Sequence, residues 1–518
     1  MTRCRDCIRA PIIYRPWVSE RISYNRYPAG RSSGPRMMPR VNSMNILLVG
    51  LLATVLWLGL GAGVRAEKLP SLGERSGRPI ATPQTRQLGD EFMREARRQL
   101  VFVRDPVLLA YVQALGSRVS ASVADDSDFF RFHLVRNGEV NAFAVPGGHV
   151  VLYTTLILET ESEGQLASVV AHEVAHLVQR HPTRSLARSH GRELSASAGM
   201  LVAVLLGGQA GAATMAATSA MAVGDRLRYS RAFEQEADTV GLDLLASAGY
   251  DPHSAVDFLH RLERGSRVQG LSPPEYLLTH PLSTRRVAEV RSRIERYATV
   301  TDGHGSDFAH ARARIRALFE PNPEAAADYF AGSAGGDVLV KRAARYGLAL
   351  VKSRLGAHDQ ALRILQQLVS DYPDDLHYPL ALAESHVAAG ALRSALSPLR
   401  SARARWPDEP MLYGAEANVL IKIGEASLAK SMIRAALRLD NDSVVLYRLL
   451  ARAEGQLGNM APSFQALAEA SYLEGEPTRA LAELSRAEKH AGHSTYLAAS
   501  ISARMAVLRE LIDRRATH

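Results

Sequence analysis

A chain of 518 residues is longer than one hydrophobic core ordinarily serves, which predicts at least two domains. Its 47% hydrophobic and 22% charged residues exclude a wholly disordered chain. The net charge of +9 does not make a nucleic-acid binder, because residues 1–66 hold ten arginines against only Asp6 and Glu20, leaving the remainder near neutrality. Within that basic segment, residues 46–60 (ILLVGLLATVLWLGL) form an apolar run behind Arg40, followed by small residues Val64 and Ala66 at positions −3 and −1 of a cleavage point. This is the order of a secretory signal, and it predicts an exported mature chain starting near residue 67. The competing reading is an uncleaved anchor, since residues 44–64 carry no charge. Residues 1–43 are Arg-rich and aperiodic, which points to translation starting at Met38 or Met44. Both cysteines, Cys4 and Cys7, lie upstream of the cleavage, so the mature chain is expected to have no disulfide, no thiolate metal ligand and no lipidated cysteine.

Residues 67–84 read as a flexible Gly/Ser/Pro-rich lead, and helical periodicity begins near Leu88. Residues 130–157 alternate and are interrupted by NGE and PGG, the pattern of short strands joined by turns. Helix resumes at Glu163. Residues 194–224 carry no charge, but Gly207, Gly208 and Gly211 split them into pieces too short to span a bilayer. The expectation there is a helical hairpin, buried or in peripheral contact with a membrane. After a helical linker at 306–341, Gly356, Gly390, Gly424 and Gly458 recur at a step of 34, in phase with Ala349, Ala383, Ala417 and Ala451 and with Ala361, Ala395 and Ala429. That period and those small residues mark tetratricopeptide repeats. They are placed at 342–375, 376–409, 410–443 and a degenerate 444–477, closed by a capping helix before residue 518.

The chemistry concentrates in residues 169–178, VVAHEVAHLV. His172 and His176 stand one helical turn apart on one face, inside an apolar helix where unpaired ionisable groups are costly to bury. Two imidazoles at that spacing can share one zinc ion, with Glu173 placed to take a proton from an attacking water. His181 precedes Pro182, where the helix must end, and reads as a residue beside the site and not a ligand. A third ligand is sought in the helix YSRAFEQEADTVGLDLL, where Glu234 and Asp238 share a face at i, i+4, while Glu236 points away and is expected in solvent.

HExxH followed by E-x-x-A-D resembles the gluzincin family of HtpX and the CAAX prenyl proteases, metallopeptidase family 48. NAFAVPGG with HVVLYTTLI, SRAFEQEAD and THPLSTRR resemble three further elements of that family. The resemblance implies a mainly α fold: an α+β gluzincin metalloprotease domain with a small sheet at 85–305, followed by an α-solenoid of tetratricopeptide repeats at 342–518. It implies one Zn2+ per chain held by His172, His176 and Glu234, Glu173 as general base, and Asp238 as the carboxylate that orients a zinc-bound histidine. For His280 it implies a latch on the zinc's open position, where the residues alone are equally read as a helix-start histidine packed before Pro281. Arg286 is expected as an ion-pair partner or substrate contact. The strand at Val150, Val151, Leu152 and Tyr153 is expected to pair with an extended substrate by β-addition.

An export signal, a family 48 domain and repeats together resemble the periplasmic branch of that family that acts in outer-membrane assembly. The function implied is a secreted endopeptidase for misfolded or stalled envelope proteins. Its repeats would bind clients or the assembly machinery, with chaperone activity besides. The alternative is a non-catalytic chaperone or adaptor with a structural metal. No nucleic-acid partner is expected.

Overall fold

The computed structural model describes residues 82–123, 129–188, 231–268, 275–300, 305–333, 335 and 337–516. The predicted signal at 46–66 and the uncharged stretch at 194–224 lie outside them. Among the described residues no helix is long and apolar enough to cross a membrane.

The fold is mainly helical with one small sheet. Helices α1 (Pro83–Gln99) and α2 (Pro106–Ser120) each begin with proline behind a capping side chain, Thr82 and Asp105, which accept from Thr85 N and Leu108 N. Strands β1 (Arg131–Val135), β2 (Ala142–Val145) and β3 (His149–Tyr153) form a sheet of order β1-β3-β2, with β3 parallel to β1 and antiparallel to β2. The β2–β3 turn runs through Gly147 and Gly148 at φ 86° and 94°, a conformation that favours glycine. The alternation along the strands does not divide core from water, because both faces are covered. Ala142, Ala144, Val150 and Leu152 enter the main core, whereas Phe143, Val145, Val151 and Tyr153 pack with Leu88, Phe92 and Met93 of α1. The predicted strand to residue 157 stops earlier: Thr154–Glu159 is helix α3.

Helix α4 (Glu163–Val178), capped by Ser162 accepting from Gln165 N, carries the HExxH motif and is buried along almost its whole length. It packs against α6 (Arg231–Ser247) at Gly241, where a Cβ would lie 3.3 Å from the His172 Cα. Between them in sequence comes α5 (His181–Arg188). Helices α7 (His253–Val268), α8 (Glu275–Thr279) and α9 (Thr284–Ile294) complete the part of the chain that carries this motif.

Helices α10 (Gly305–Phe319) and α11 (Pro323–Gly332) lead to the repeats. These pair α12 (Val338–Arg354) with α13 (His358–Asp371), α14 (His377–Ala388) with α15 (Leu396–Arg405), α16 (Pro410–Lys422) with α17 (Ala426–Leu439), and α18 (Val444–Gln456) with α19 (Met460–Leu473). Helices α20 (Pro477–Lys489) and α21 (Thr495–Ala516) follow. Gly356, Gly390, Gly424 and Gly458 all sit at positive φ between the helices of a pair. In each case the next residue donates its N–H back to the first helix: Ala357 to Lys352 O, Ala391 to His386 O, Glu425 to Leu420 O and Asn459 to Glu454 O, all 2.9 Å. This recurring left-handed cap is what the period of 34 encodes. The phased alanines are buried between paired helices, and at the degenerate fourth repeat Ser463 meets its backbone partner directly, Oγ donating to Ala451 O at 2.8 Å.

Candidate metal centre and active site

His172 and His176 leave α4 on one face, as their spacing predicts, and their Nε2 atoms lie 3.0 Å apart. Glu234, in the first turn of α6, brings Oε2 to 3.5 Å from His172 Nε2 and Oε1 to 3.4 Å from His176 Nε2. His280, just beyond α8, brings Nδ1 to 3.3 Å from His172 Nε2 and 3.1 Å from Glu234 Oε1. Zinc bonds of about 2.0–2.1 Å at tetrahedral angles place ligand atoms about 3.3 Å apart, so these separations are edges of a zinc-sized tetrahedron. The donor set, imidazole nitrogens with one carboxylate, is the one zinc prefers. The surrounding charge favours a cation as well, since three carboxylates, Glu173, Glu234 and Asp238, stand beside one permanent cation, Arg286. The residues present therefore fit zinc.

The partners of the ligands fix their orientation. Asp238 Oδ1 accepts from His172 Nδ1 at 3.1 Å. Arg286 is buried and clamps Glu234 and Asp238 of α6: Nε and Nη2 reach Asp238 at 2.6 and 2.8 Å, and Nη1 reaches Glu234 Oε2 at 2.6 Å. Of the two expectations for Arg286, the structure shows the ion pair. Burial disfavours the Glu234 carboxylate, but His280, Arg286 and the two motif histidines outweigh it and hold Glu234 well below the usual carboxylate range. Burial likewise disfavours charge on His172, yet hydrogen bonds to Asp238 and Glu234 raise it to about 9. On His176 burial prevails and its pKa falls well below the histidine range.

Glu173 is fully buried beside the tetrahedron, and neither carboxylate oxygen makes a well-formed hydrogen bond. Burial raises its pKa against the pull of His280 and His172, which suits a carboxylate that must accept a proton. His280 Nε2 stands 3.4 Å from Glu173 Oε1 while its Nδ1 faces the ligands. One imidazole thus covers both the fourth vertex and the base. Its ring stacks on Tyr276 at 4.7 Å, and the Tyr276 N–H donates to Val140 O at 3.1 Å, tying the histidine-bearing segment to the chain just ahead of β2.

Two expectations need correction. Val150, Val151, Leu152 and Tyr153 form the central strand, whose backbone is paired to β1 on one side and β2 on the other, so β3 has no edge for a substrate. The edge strand is β2, and the Ala144 backbone amide lies close enough to Glu173 to favour its ionised form. Glu236 is not in solvent. It is buried, and its Oε2 accepts from His181 Nε2 at 3.0 Å and from Arg184 at 3.1 Å. Residue spacing missed this because the covering element, α5, folds back only after the helix has ended.

Among the described residues one further group, His310, Asp375 and His377, is close enough to hold a metal. Its hydrogen bonds are satisfied from within. Asp375 accepts from Arg342 at 2.5 Å and from His377 Nδ1 at 2.9 Å, and His310 Nε2 meets Tyr378 Oη at 3.0 Å.

Residues 107–294 match the model of peptidase family M48, and residues 343–375 match a tetratricopeptide repeat. The beta-barrel assembly-enhancing protease of Escherichia coli (strain K12) is 31% identical across 87% of this chain and 93% of its own length. Its counterpart from Yersinia pestis is 30% identical across 90% of this chain and 99% of its own. The mitochondrial metalloendopeptidase OMA1 of Schizosaccharomyces pombe is 32% identical over 35% of this chain and 51% of its own length.

Proposed function

The chain belongs to peptidase family M48 and is a zinc metalloendopeptidase, and from that premise we propose that it serves outer-membrane assembly in the periplasm by degrading misfolded or stalled β-barrel proteins. Residues 85–305 are the peptidase, and residues 342–518 hold clients or the assembly machinery and keep unfolded clients from aggregating. The signal-like order of the sequence up to Ala66 and the names of the long relatives support that setting. The observation that carries the reading is the tetrahedral spacing of His172, His176, Glu234 and His280 around a buried, under-bonded Glu173.

His172, His176 and Glu234 would hold the zinc, which would supply Lewis acidity toward a scissile carbonyl and an attacking water. Glu173 takes that water's proton and returns it to the leaving amine. Asp238 holds His172 in the tautomer whose Nε2 lone pair faces the ligand cluster, and Arg286 keeps Glu234 and Asp238 ionised and aligned. The outer edge of β2 pairs with an extended substrate backbone, which restricts cleavage to unfolded segments. His280 is a latch that must leave the fourth vertex before a substrate enters, and Tyr276 leaves Val140 with it.

The test offers the chain one outer-membrane barrel in two forms, unfolded in urea-diluted buffer and folded in detergent, with Glu173→Gln as control. Cleavage of the unfolded form alone, absent in the control, agrees with the proposal. Protection of the unfolded barrel from aggregation by parent and Glu173→Gln alike, with no cleavage by either even after His280→Ala, supports the chaperone reading instead.

A further inference from the structure

Of the two motif histidines, His172 has a carboxylate behind it. His176 has another imidazole. His176 Nδ1 lies 2.9 Å from His181 Nδ1, and His181 Nε2 lies 3.0 Å from Glu236 Oε2, which also accepts from Arg184. His181 is fully buried, its ring stacked on Phe233 at 4.3 Å and 10° between planes, and Arg184 caps the other end of the stack 4.5 Å from the Phe233 ring. Phe233 immediately precedes the ligand Glu234, so α5 is pinned to the turn of α6 that supplies the third ligand.

The protons in this chain have one consistent arrangement. His176 Nε2 faces the ligand cluster and must offer a lone pair, so its Nδ1 carries the proton. His181 Nδ1 must then accept, which places the His181 proton on Nε2, where the Glu236 carboxylate receives it. Both imidazoles are neutral, and each hydrogen bond has one donor and one acceptor. The backbone takes an uncommon route to bring this about. Arg180 is the one non-glycine among the described residues at positive φ, 56°. Its N–H closes α4 on Leu177 O at 3.0 Å and its carbonyl accepts from Arg184 N at 2.9 Å, opening α5. That single left-handed residue turns the chain back so that His181 lies under His176, where a longer connection would lose the contact.

We propose that His181, anchored by Glu236, is a positioning residue for the second zinc ligand: it accepts the His176 Nδ1 proton, fixes the tautomer and ring plane of His176, and so sets zinc affinity. The inference rests on the reading of His176 as a ligand. Partners of this kind ordinarily contribute 10–100-fold to metal affinity.

The experiment measures the zinc dissociation constant of the full chain by competition with a chromophoric chelator, together with the melting midpoint before and after zinc is added. His181→Phe keeps a ring on Phe233 and removes the acceptor; Glu236→Leu removes the anchor and leaves His181 in place. Both should lose roughly 10–100-fold in affinity. His181→Asn, whose amide oxygen occupies the place of Nδ1, should recover most of the loss seen with His181→Phe. Parent-like affinity in both His181→Phe and Glu236→Leu overturns the proposal, as does an equal loss in His181→Asn and His181→Phe. His176→Ala separates the two levels. If it too binds zinc like the parent, the ligand assignment itself fails; if it loses zinc while the relay variants do not, only the positioning role fails.

Discussion

At the scale of single residues, the site is a set of buried charges whose partners decide their state. His172, Glu173 and His176 were legible from spacing and apolar flanks alone, because a helix fixes what lies one turn away. Glu234 and Asp238 were legible as a shared face, and only the resemblance ranked them. Glu236 was misread for a physical reason: two residues from Glu234 it does point away from the ligands, but α5 occupies the space where solvent was expected. Asp238→Asn leaves the shape of the clamp while weakening both the acceptor for His172 and the pair with Arg286. It should lower zinc affinity by roughly 10–100-fold, read by chelator competition. Unchanged affinity would show that His172 needs no carboxylate behind it.

At the scale of elements, the hairpin of β2 and β3 was legible from PGG, but the strand order was not. A parallel β1–β3 pair with β2 at the edge depends on what covers the two faces, α1 on one and α4 on the other, and nothing in strand periodicity states that. Close by, α8 is tied to Val140 through the Tyr276 N–H and buries Glu275. Burial, with Glu139 adding repulsion, pushes the Glu275 carboxyl up to about 7, and one of its oxygens has no hydrogen bond. The other group facing it is Tyr153 from β3, whose own hydroxyl is pushed up by burial and by Glu275. A carboxyl with a folded pKa above its unfolded value holds its proton more tightly when folded. The stability it lends is therefore present at low pH and lost as pH rises from about 4.5 through about 7. The seating of α8 should weaken over that window, and uninduced casein cleavage by the parent should rise relative to Glu275→Gln between pH 6 and pH 8. A ratio flat with pH would remove Glu275 from the control of the latch. Where α6 meets α4, Gly241→Val should cost about 1–3 kcal/mol of stability, because the added branches meet His172 backbone that cannot yield. A chemical denaturation midpoint equal to the parent's would contradict this.

At the scale of the whole molecule, the repeats are not a free arm. Arg314 of α10 is buried and forms two bonds to Asp105, at 2.8 and 2.7 Å, two to Glu384, at 3.0 and 2.8 Å, and one to the Tyr346 hydroxyl at 3.0 Å. Asp105 also caps α2, so one guanidinium joins the catalytic part to the first two repeats. At the far end Arg97 of α1 donates to the Glu474 carbonyl, and Val107 of α2 packs with Leu380, Leu399 and Leu412 of the repeats. The 34-residue phase made the solenoid legible, while its return onto α1 and α2 was not, since that contact joins residues hundreds apart. Arg314→Met should cost about 3 kcal/mol, mostly through Asp105, which is largely shielded from water and would lose its partner, with Glu384 contributing less because it is half-exposed. A calorimetric midpoint within a degree of the parent's would show that the clamp carries no net stability.

We propose a latent zinc peptidase whose base is Glu173 and whose latch is His280. Casein cleavage by the zinc-loaded chain, measured side by side for the parent, His280→Ala and Glu173→Gln, tests it most directly. Activity should be low in the parent, higher in His280→Ala, and reduced roughly 10²–10⁴-fold in Glu173→Gln at unchanged zinc content. Cleavage by Glu173→Gln at the rate of the parent would contradict it.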